Sequence, residues 1–181
     1  MGRLSLRVPR LRDMEYRQAL LSQPDTMAYN RGRDLGGAEG YDPETGCIDF
    51  PRENWRWWRQ VWLLNEPDFF SALLWDEAGE RFVGEISWFY DGETQTHTAG
   101  ILIEAESRGK GYCAEGLRLL VDRAFAREDI GVLRCDIPEG SAAALRGYRR
   151  AGFHEFGRAD GQVTMLFTRE DYERLFEGNG G

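Results

Sequence analysis

Residues Gly100-Ile101-Leu102-Ile103-Glu104-Ala105-Glu106-Ser107-Arg108-Gly109-Lys110-Gly111-Tyr112 carry an apolar run into a basic turn bracketed by glycines. The run ends like a strand, and the two glycines allow tight backbone angles. A helical pattern begins at Tyr112, so the turn meets unpaired amide N–H groups and the positive end of a helix dipole. Arg108 and Lys110 add full charges. The arrangement is a socket for a phosphate-bearing cofactor.

The helix that follows reads clearly. Leu117, Leu120, Val121, Ala124 and Phe125 recur at i, i+3, i+4, i+7 and i+8 and form one buried stripe. Beyond it, Gly131 to Ile137 has strand composition, Ser141 to Arg150 reads as a short helix, and Ala151-Gly152-Phe153 supplies its glycine stop. The order is strand, glycine loop, helix, strand, helix.

Two segments, Gly100 to Leu120 and Ile137 to Phe153, resemble the GNAT superfamily of acetyl-CoA-dependent N-acetyltransferases, and more loosely its RimJ/RimL-like branch. The resemblance implies that main-chain amides around Arg108, Gly109, Lys110, Gly111 and Tyr112 hold the coenzyme A pyrophosphate. It also implies that the strand ending at Leu102, Ile103 and Glu104 contacts the acetyl-pantetheine arm, and that Tyr148 sits near the sulfur. The family usually carries Gln or Arg where this chain has Glu106, and Asn where it has Ser141. Serine can still cap a helix, and Ser141 is kept as a cofactor contact.

Gly109-Lys110-Gly111-Tyr112-Cys113-Ala114 also fits the dinucleotide pattern G-x-G-x-x-G/A, with Asp136 closing the next strand. That fingerprint belongs at the first strand of a domain of roughly 100 to 150 residues. Only 70 residues follow Gly111. A third reading keeps the socket without catalysis, as an acyl-CoA sensor or interaction domain.

With 181 residues, 41% of them hydrophobic, the chain can bury one substantial core. Strands are expected at Leu4 to Val8, Phe69 to Trp75, Phe82 to Tyr90, Thr96 to Glu104, Val132 to Ile137, Phe153 to Gly157 and Val163 to Thr168. Leu11 to Leu21 and Arg169 to Phe176 read as helices. They cluster as hairpins before the long helix and alternate with helices after it. The fold class is therefore α/β (α+β), with a mixed, largely antiparallel central sheet flanked by helices. One domain over residues 1–177, N-acetyltransferase-like by the resemblance, is expected, with Gly178 to Gly181 as a frayed tail.

The net charge of −8 excludes an electrostatically driven nucleic-acid binder. No apolar stretch approaches the ~20 residues needed to span a bilayer, and Gly2 to Leu6 lacks the apolar core of a secretory signal. Cys47, Cys113 and Cys135 have no metal-ligand spacing, so a reducing cytoplasm and no metal are expected. Cys113 reads as a small helix-packing residue. Glu39, Asp42, Glu44 and Asp49 mark a long acidic loop, a candidate lip for a cationic acceptor. Trp55, Trp58 and Trp62 share a helical stripe, widened by Trp57, Val61 and Leu64, for core packing or a homodimer contact.

Acetyl transfer needs polarisation of a carbonyl, a proton for the departing thiolate and a base for the incoming ammonium. Main-chain N–H groups near Leu102 to Glu104 answer the first and Tyr148 the second. For the base, Glu85 comes first, on the strand face with Val83 and Phe89, where apolar surroundings would raise its pKa. His97 and Glu104, at the two ends of their strand, compete with it. The acceptor is expected to be a primary amine, a small cationic molecule or a peptide N-terminus.

Overall fold

The computed structural model describes residues 3–35 and 37–177, so the expectation for Gly178 to Gly181 falls outside the described residues. Seven strands form one sheet in the order β1-β2-β3-β4-β5-β7-β6. In chain order they are β1 (Leu4–Arg7), β2 (Phe69–Asp76), β3 (Arg81–Asp91), β4 (Thr96–Ile103), β5 (Val132–Pro138), β6 (His154–Ala159) and β7 (Gln162–Thr168). The helices are α1 (Met14–Leu21), α2 (Pro24–Met27), α3 (Asn54–Leu63), α4 (Tyr112–Phe125), α5 (Ala142–Ala151) and α6 (Arg169–Glu177). Among the described residues no helix is long and apolar enough to cross a membrane.

Every neighbouring pair in the sheet is antiparallel except β4 and β5, which are parallel and joined through α4. That one parallel pair is short. It holds only at His97 opposite Leu133 and Thr98 opposite Arg134, although β4 runs on to Ile103 and β5 to Pro138. The two strands therefore part in the middle of the sheet and leave a cleft toward their C-terminal ends.

Two apolar layers cover the sheet. On one face, Leu117, Leu120, Val121, Ala124 and Phe125 of α4 pack with Leu145 and Tyr148 of α5 against Leu74, Ile86, Trp88 and Ile103. Each fully buried large side chain contributes about 1.5–3 kcal/mol, which outweighs the roughly 1 kcal/mol that Gly116 costs inside α4. Gly116 lets the helix lie close, since a Cβ there would come within 3.0 Å of Ile101 and 3.2 Å of Leu74. On the other face, Met14, Leu20, Leu21, Met27, Phe50, Trp55 and Trp58 pack with Leu102.

The tryptophan stripe divides differently from the expectation. Trp55 and Trp58 are buried and Trp62 stacks on Trp58, but Trp57 is 64% exposed and Leu64 77% exposed. The stripe is thus narrower than the composition implied. On β3, the register slips so that Leu74 faces Gly84 and Trp75 faces Phe82. Val83 is the extra residue of this bulge and joins the α4 face, opposite to Glu85 rather than beside it.

Candidate functional site

The loop between β4 and α4 is built by two left-handed glycines, Gly109 at φ 78° and Gly111 at φ 86°, a conformation that costs other residues about 1–2 kcal/mol. The first bond of α4 runs from the Glu115 N–H to the Gly111 carbonyl, at 3.3 Å. The amides of Tyr112, Cys113 and Ala114 are therefore left facing outward. Upstream, the Ser107 and Arg108 amides are already used by Glu104 and Ala105 carbonyls. The open row begins at Gly109, not at Arg108.

Side chains fasten this loop from behind. Arg108 donates from Nη2 to the Thr26 carbonyl at 2.8 Å, from Nη1 to Asp25 at 3.3 Å and from Nε to Ile103 at 3.2 Å. It is a brace between α2 and the end of β4, and the expected second charge beside the amide row is spent there. Tyr112 is buried, with its hydroxyl donating to Asp76 Oδ2 at 2.8 Å. The Glu115 carboxylate accepts the Leu4 N–H at 2.8 Å and ties α4 to β1. Lys110 is exposed, and the Arg3 guanidinium joins it at the loop, donating from Nη2 to the Lys110 carbonyl at 2.8 Å.

Strand alternation decides which amides of β4 reach the cleft. The Glu104 N–H donates to the Val83 carbonyl at 3.0 Å, so Glu104, Leu102 and Gly100 turn their main-chain groups toward β3. Ile103 and Ile101 turn theirs the other way, where β5 has departed. The Ile103 and Ala99 carbonyls agree, since they accept from Arg108 and from Tyr148. Of the expected trio, only Ile103 presents its amide to the cleft, and Ile101 joins it. Leu102 and Glu104 instead point side chains to the α1–α3 face, where Glu104 accepts from Gln23 Nε2 at 3.2 Å. The alternation was available in the sequence, but its phase was not.

Tyr148 stands at the apex of the cleft. Its ring meets Phe153 edge-on at 5.0 Å and its hydroxyl donates to the Ala99 carbonyl at 3.4 Å, one residue past the last β4–β5 pair. Burial, with the neighbouring Cys135 and Cys113 thiols, holds this phenol well above its ordinary pKa. Burial also pushes both thiols up to about 11. The apex thus contains protonated groups only, and Cys113 is no thiolate nucleophile at neutral pH. Ser141 caps α5 at the same end of the cleft through its backbone, its hydroxyl making no capping bond.

The two first candidates for the base, His97 and Glu85, are both already engaged or distant. His97 begins β4 at the end away from the loop, six residues or roughly 20 Å from Ile103. Its ring packs on Tyr90, its Nε2 is buried without a partner, and burial lowers its pKa against the opposing Pro67 carbonyl. Glu85 is not set among apolar groups alone, because Arg17 Nε lies 2.7 Å from its Oε2. The acidic loop is ordered by its own side chains. Asp42 accepts the Glu44 N–H at 2.9 Å and the Thr45 hydroxyl at 2.6 Å, which hold its pKa down, while Glu39, Glu44 and Asp49 are exposed.

Gly100 faces the α1–α3 side with unstrained backbone. A Cβ there would meet only Ser87 Oγ, at 3.7 Å. A glycine in a central strand weakens it, and here it leaves the backbone uncovered on that face.

Comparison with known proteins identifies the family and the fold. The family described as Acetyltransferase (GNAT) domain matches residues 3–154. A probable N-acetyltransferase, YjcK from Bacillus subtilis (strain 168), is 28% identical over 114 residues, which are 62% of this chain and 63% of that protein's length. In fold, the chain is similar to a spermidine N-acetyltransferase from Vibrio cholerae solved with CoA and spermine (TM-score 0.69, 15% identity, 94% of this chain and 98% of that one). It is also similar to the aminoglycoside acetyltransferase AAC(6')-Ib solved with coenzyme A and kanamycin (TM-score 0.67, 16% identity, 96% and 99%). A parted β4–β5 pair, a left-handed glycine loop at a helix start and a domain-length family match meet in one molecule: this chain belongs to the GNAT acetyltransferase domain family.

Proposed function

We propose that the protein transfers an acetyl group from acetyl-CoA to a primary amine by direct attack in a ternary complex. The observation that carries this reading is the parting of β4 from β5 one residue before the Ala99 carbonyl that receives the Tyr148 hydroxyl. The fit to the cofactor rests on groups left open: the amide row from Gly109 to Ala114 for a diphosphate, and the Ile101 and Ile103 amides for the pantetheine arm and thioester carbonyl. When bound, acetyl-CoA supplies a thioester and a thiolate leaving group.

The chain's own residues do the rest. Ile101 and Ile103 N–H groups orient and polarise an oxygen at the strand edge, and α4 and α5 exclude water from that side. Tyr148 holds its proton at the apex, where a departing sulfur can take it. An alkylammonium with a pKa near 10 reaches the cleft over Gly100 and reacts as its neutral fraction; the proton that its nitrogen sheds as the amide forms passes to water and replaces the one Tyr148 gives to sulfur. Glu85, held by Arg17, and His97, at the far end of β4, take no part in proton transfer in this reading.

The spermidine and aminoglycoside enzymes of similar fold support an amine acceptor, and three free cysteines fit a reducing compartment. The RimJ/RimL-like likeness stays with the Arg108 to Tyr112 segment. Acetyl-CoA incubated with the protein and an amine panel tests the proposal: acceptor-dependent release of free CoA thiol is expected. Tight CoA binding with no release for any amine would favour the noncatalytic sensor.

A further inference from the structure

Arg17, on α1, is a cation enclosed by groups from three other segments. Its guanidinium carbon lies 4.4 Å from the centroid of the Phe50 ring and 4.2 Å from that of Trp58. Its Nε stands 2.7 Å from Glu85 Oε2 and its Nη2 3.4 Å from Oε1, with the two side chains only 12% and 16% exposed. Charge dominates the contact, with one long hydrogen bond donated by Arg17 Nη2 to Glu85 Oε1. Neither Arg17 Nε nor Glu85 Oε2 makes an aligned hydrogen bond, and the adjacent Tyr16 hydroxyl is buried without a partner. Two aromatic faces and a desolvated carboxylate attract any alkylammonium or guanidinium ion, not arginine in particular.

The location gives this box a consequence. Glu85 is paired with Leu102 across β3 and β4, and Leu102 lies between the two residues whose amides enter the cleft. The box is thus about one strand spacing, roughly 5 Å, from β4, on the α1–α3 face that Gly100 leaves bare. A tethered cation has a high effective concentration and outcompetes a free one of the same kind.

We infer that Phe50, Trp58 and Glu85 form a cation subsite beside the acceptor path and that Arg17 holds it closed, so the protein accepts amines with one ammonium group and discriminates against a second one placed there. This rests on the acetyl-transfer reading for the word acceptor, but the subsite itself can be read by binding. Arg17 sets specificity and is not a catalytic residue.

The test compares wild type, Arg17→Lys, Arg17→Met and Arg17→Met/Glu85→Gln with butylamine and α,ω-diamines of graded length. Wild type and Arg17→Lys are expected to use no diamine better than butylamine by more than the statistical factor of about two. Arg17→Met should raise the ratio of kcat/KM for the best diamine over butylamine by at least about tenfold, and Glu85→Gln on that background should abolish the gain. Independently of turnover, methylguanidinium should raise the Tm of Arg17→Met and leave wild type unchanged. If Arg17→Met folds only in methylguanidinium, that is the same result. An unchanged diamine ratio with no methylguanidinium effect on Arg17→Met, or a wild type that already prefers diamines tenfold, overturns the inference. Methylguanidinium binding to Arg17→Met, with no amine acetylated by any variant, would keep the subsite and remove the acetyl-transfer reading.

Discussion

The Tyr148 hydroxyl donates to the Ala99 carbonyl at 3.4 Å, directly beyond the last residue at which β4 and β5 are paired. Tyr148→Phe keeps the ring packing on Phe153 and removes only the proton. Turnover is expected to fall by about 10²-fold or more, the scale of general-acid catalysis, with CoA affinity nearly unchanged. Because burial raises the Tyr148 pKa above 10, the acid form persists through alkaline pH. For an alkylamine acceptor, wild-type kcat/KM should climb with pH toward the amine's own pKa, near 10, with no descending limb below it. A bell with its maximum near neutrality would reject Tyr148 as the acid.

Gly111 caps α4 in the left-handed region at φ 86°. Gly111→Ala should destabilise the fold by about 1–2 kcal/mol and weaken CoA binding by about tenfold, because the amide row turns with the backbone. Equilibrium denaturation and calorimetric titration with CoA measure the two effects. Lys110→Ala, which keeps the backbone, should weaken binding less.

Cys113 and Gly147 fix the crossing of α4 over α5, since a Cβ at Gly147 would lie 2.5 Å from Cys113 Sγ. Gly147→Ala is expected to cost about 1–3 kcal/mol by overpacking. Adding Cys113→Ala should restore most of it, a coupling that a double-mutant cycle in urea measures. Since burial keeps the thiol protonated with a pKa of about 11, Cys113→Ala alone should retain acetyl transfer. Loss of transfer would revive a covalent acyl-enzyme.

His97 is held neutral by burial, its pKa lowered from 6.5. Below about pH 6.5 the unfolded chain binds a proton there that the native state does not, so stability falls as pH drops through that region and is unaffected above it. Wild type should lose more unfolding free energy between pH 7.5 and 5.5 than His97→Gln. Equal losses would mean that the imidazole titrates alike in both states.

All seven strands and the α4 stripe were legible because strand-forming runs bounded by turn residues, and a period-3.6 stripe, are local features of the sequence. What stayed hidden depended on contacts between distant segments. Whether Ile101 or Leu102 offers its amide to the cleft hinges on the β3 register, and the Val83 bulge that moves Val83 away from Glu85 leaves no local signature. Glu85 read as a base because Arg17, 68 residues earlier, could not be foreseen as its partner. Arg108 read as an anion ligand because the carbonyls of Asp25 and Thr26, 83 and 82 residues away, are silent in a sequence. The short helix at Pro24–Met27 that brings them there is a single turn, too brief to show periodicity.

The grip on the cofactor is tested most directly by following backbone amides in 15N–1H NMR spectra during titration with CoA. The largest changes are expected at Gly109, Lys110, Gly111 and Tyr112, together with Ile101 and Ile103, while Leu102 and Glu104, bonded toward β3, move less. Saturable binding that leaves the loop amides and both isoleucines in place, or no binding at all, would contradict it.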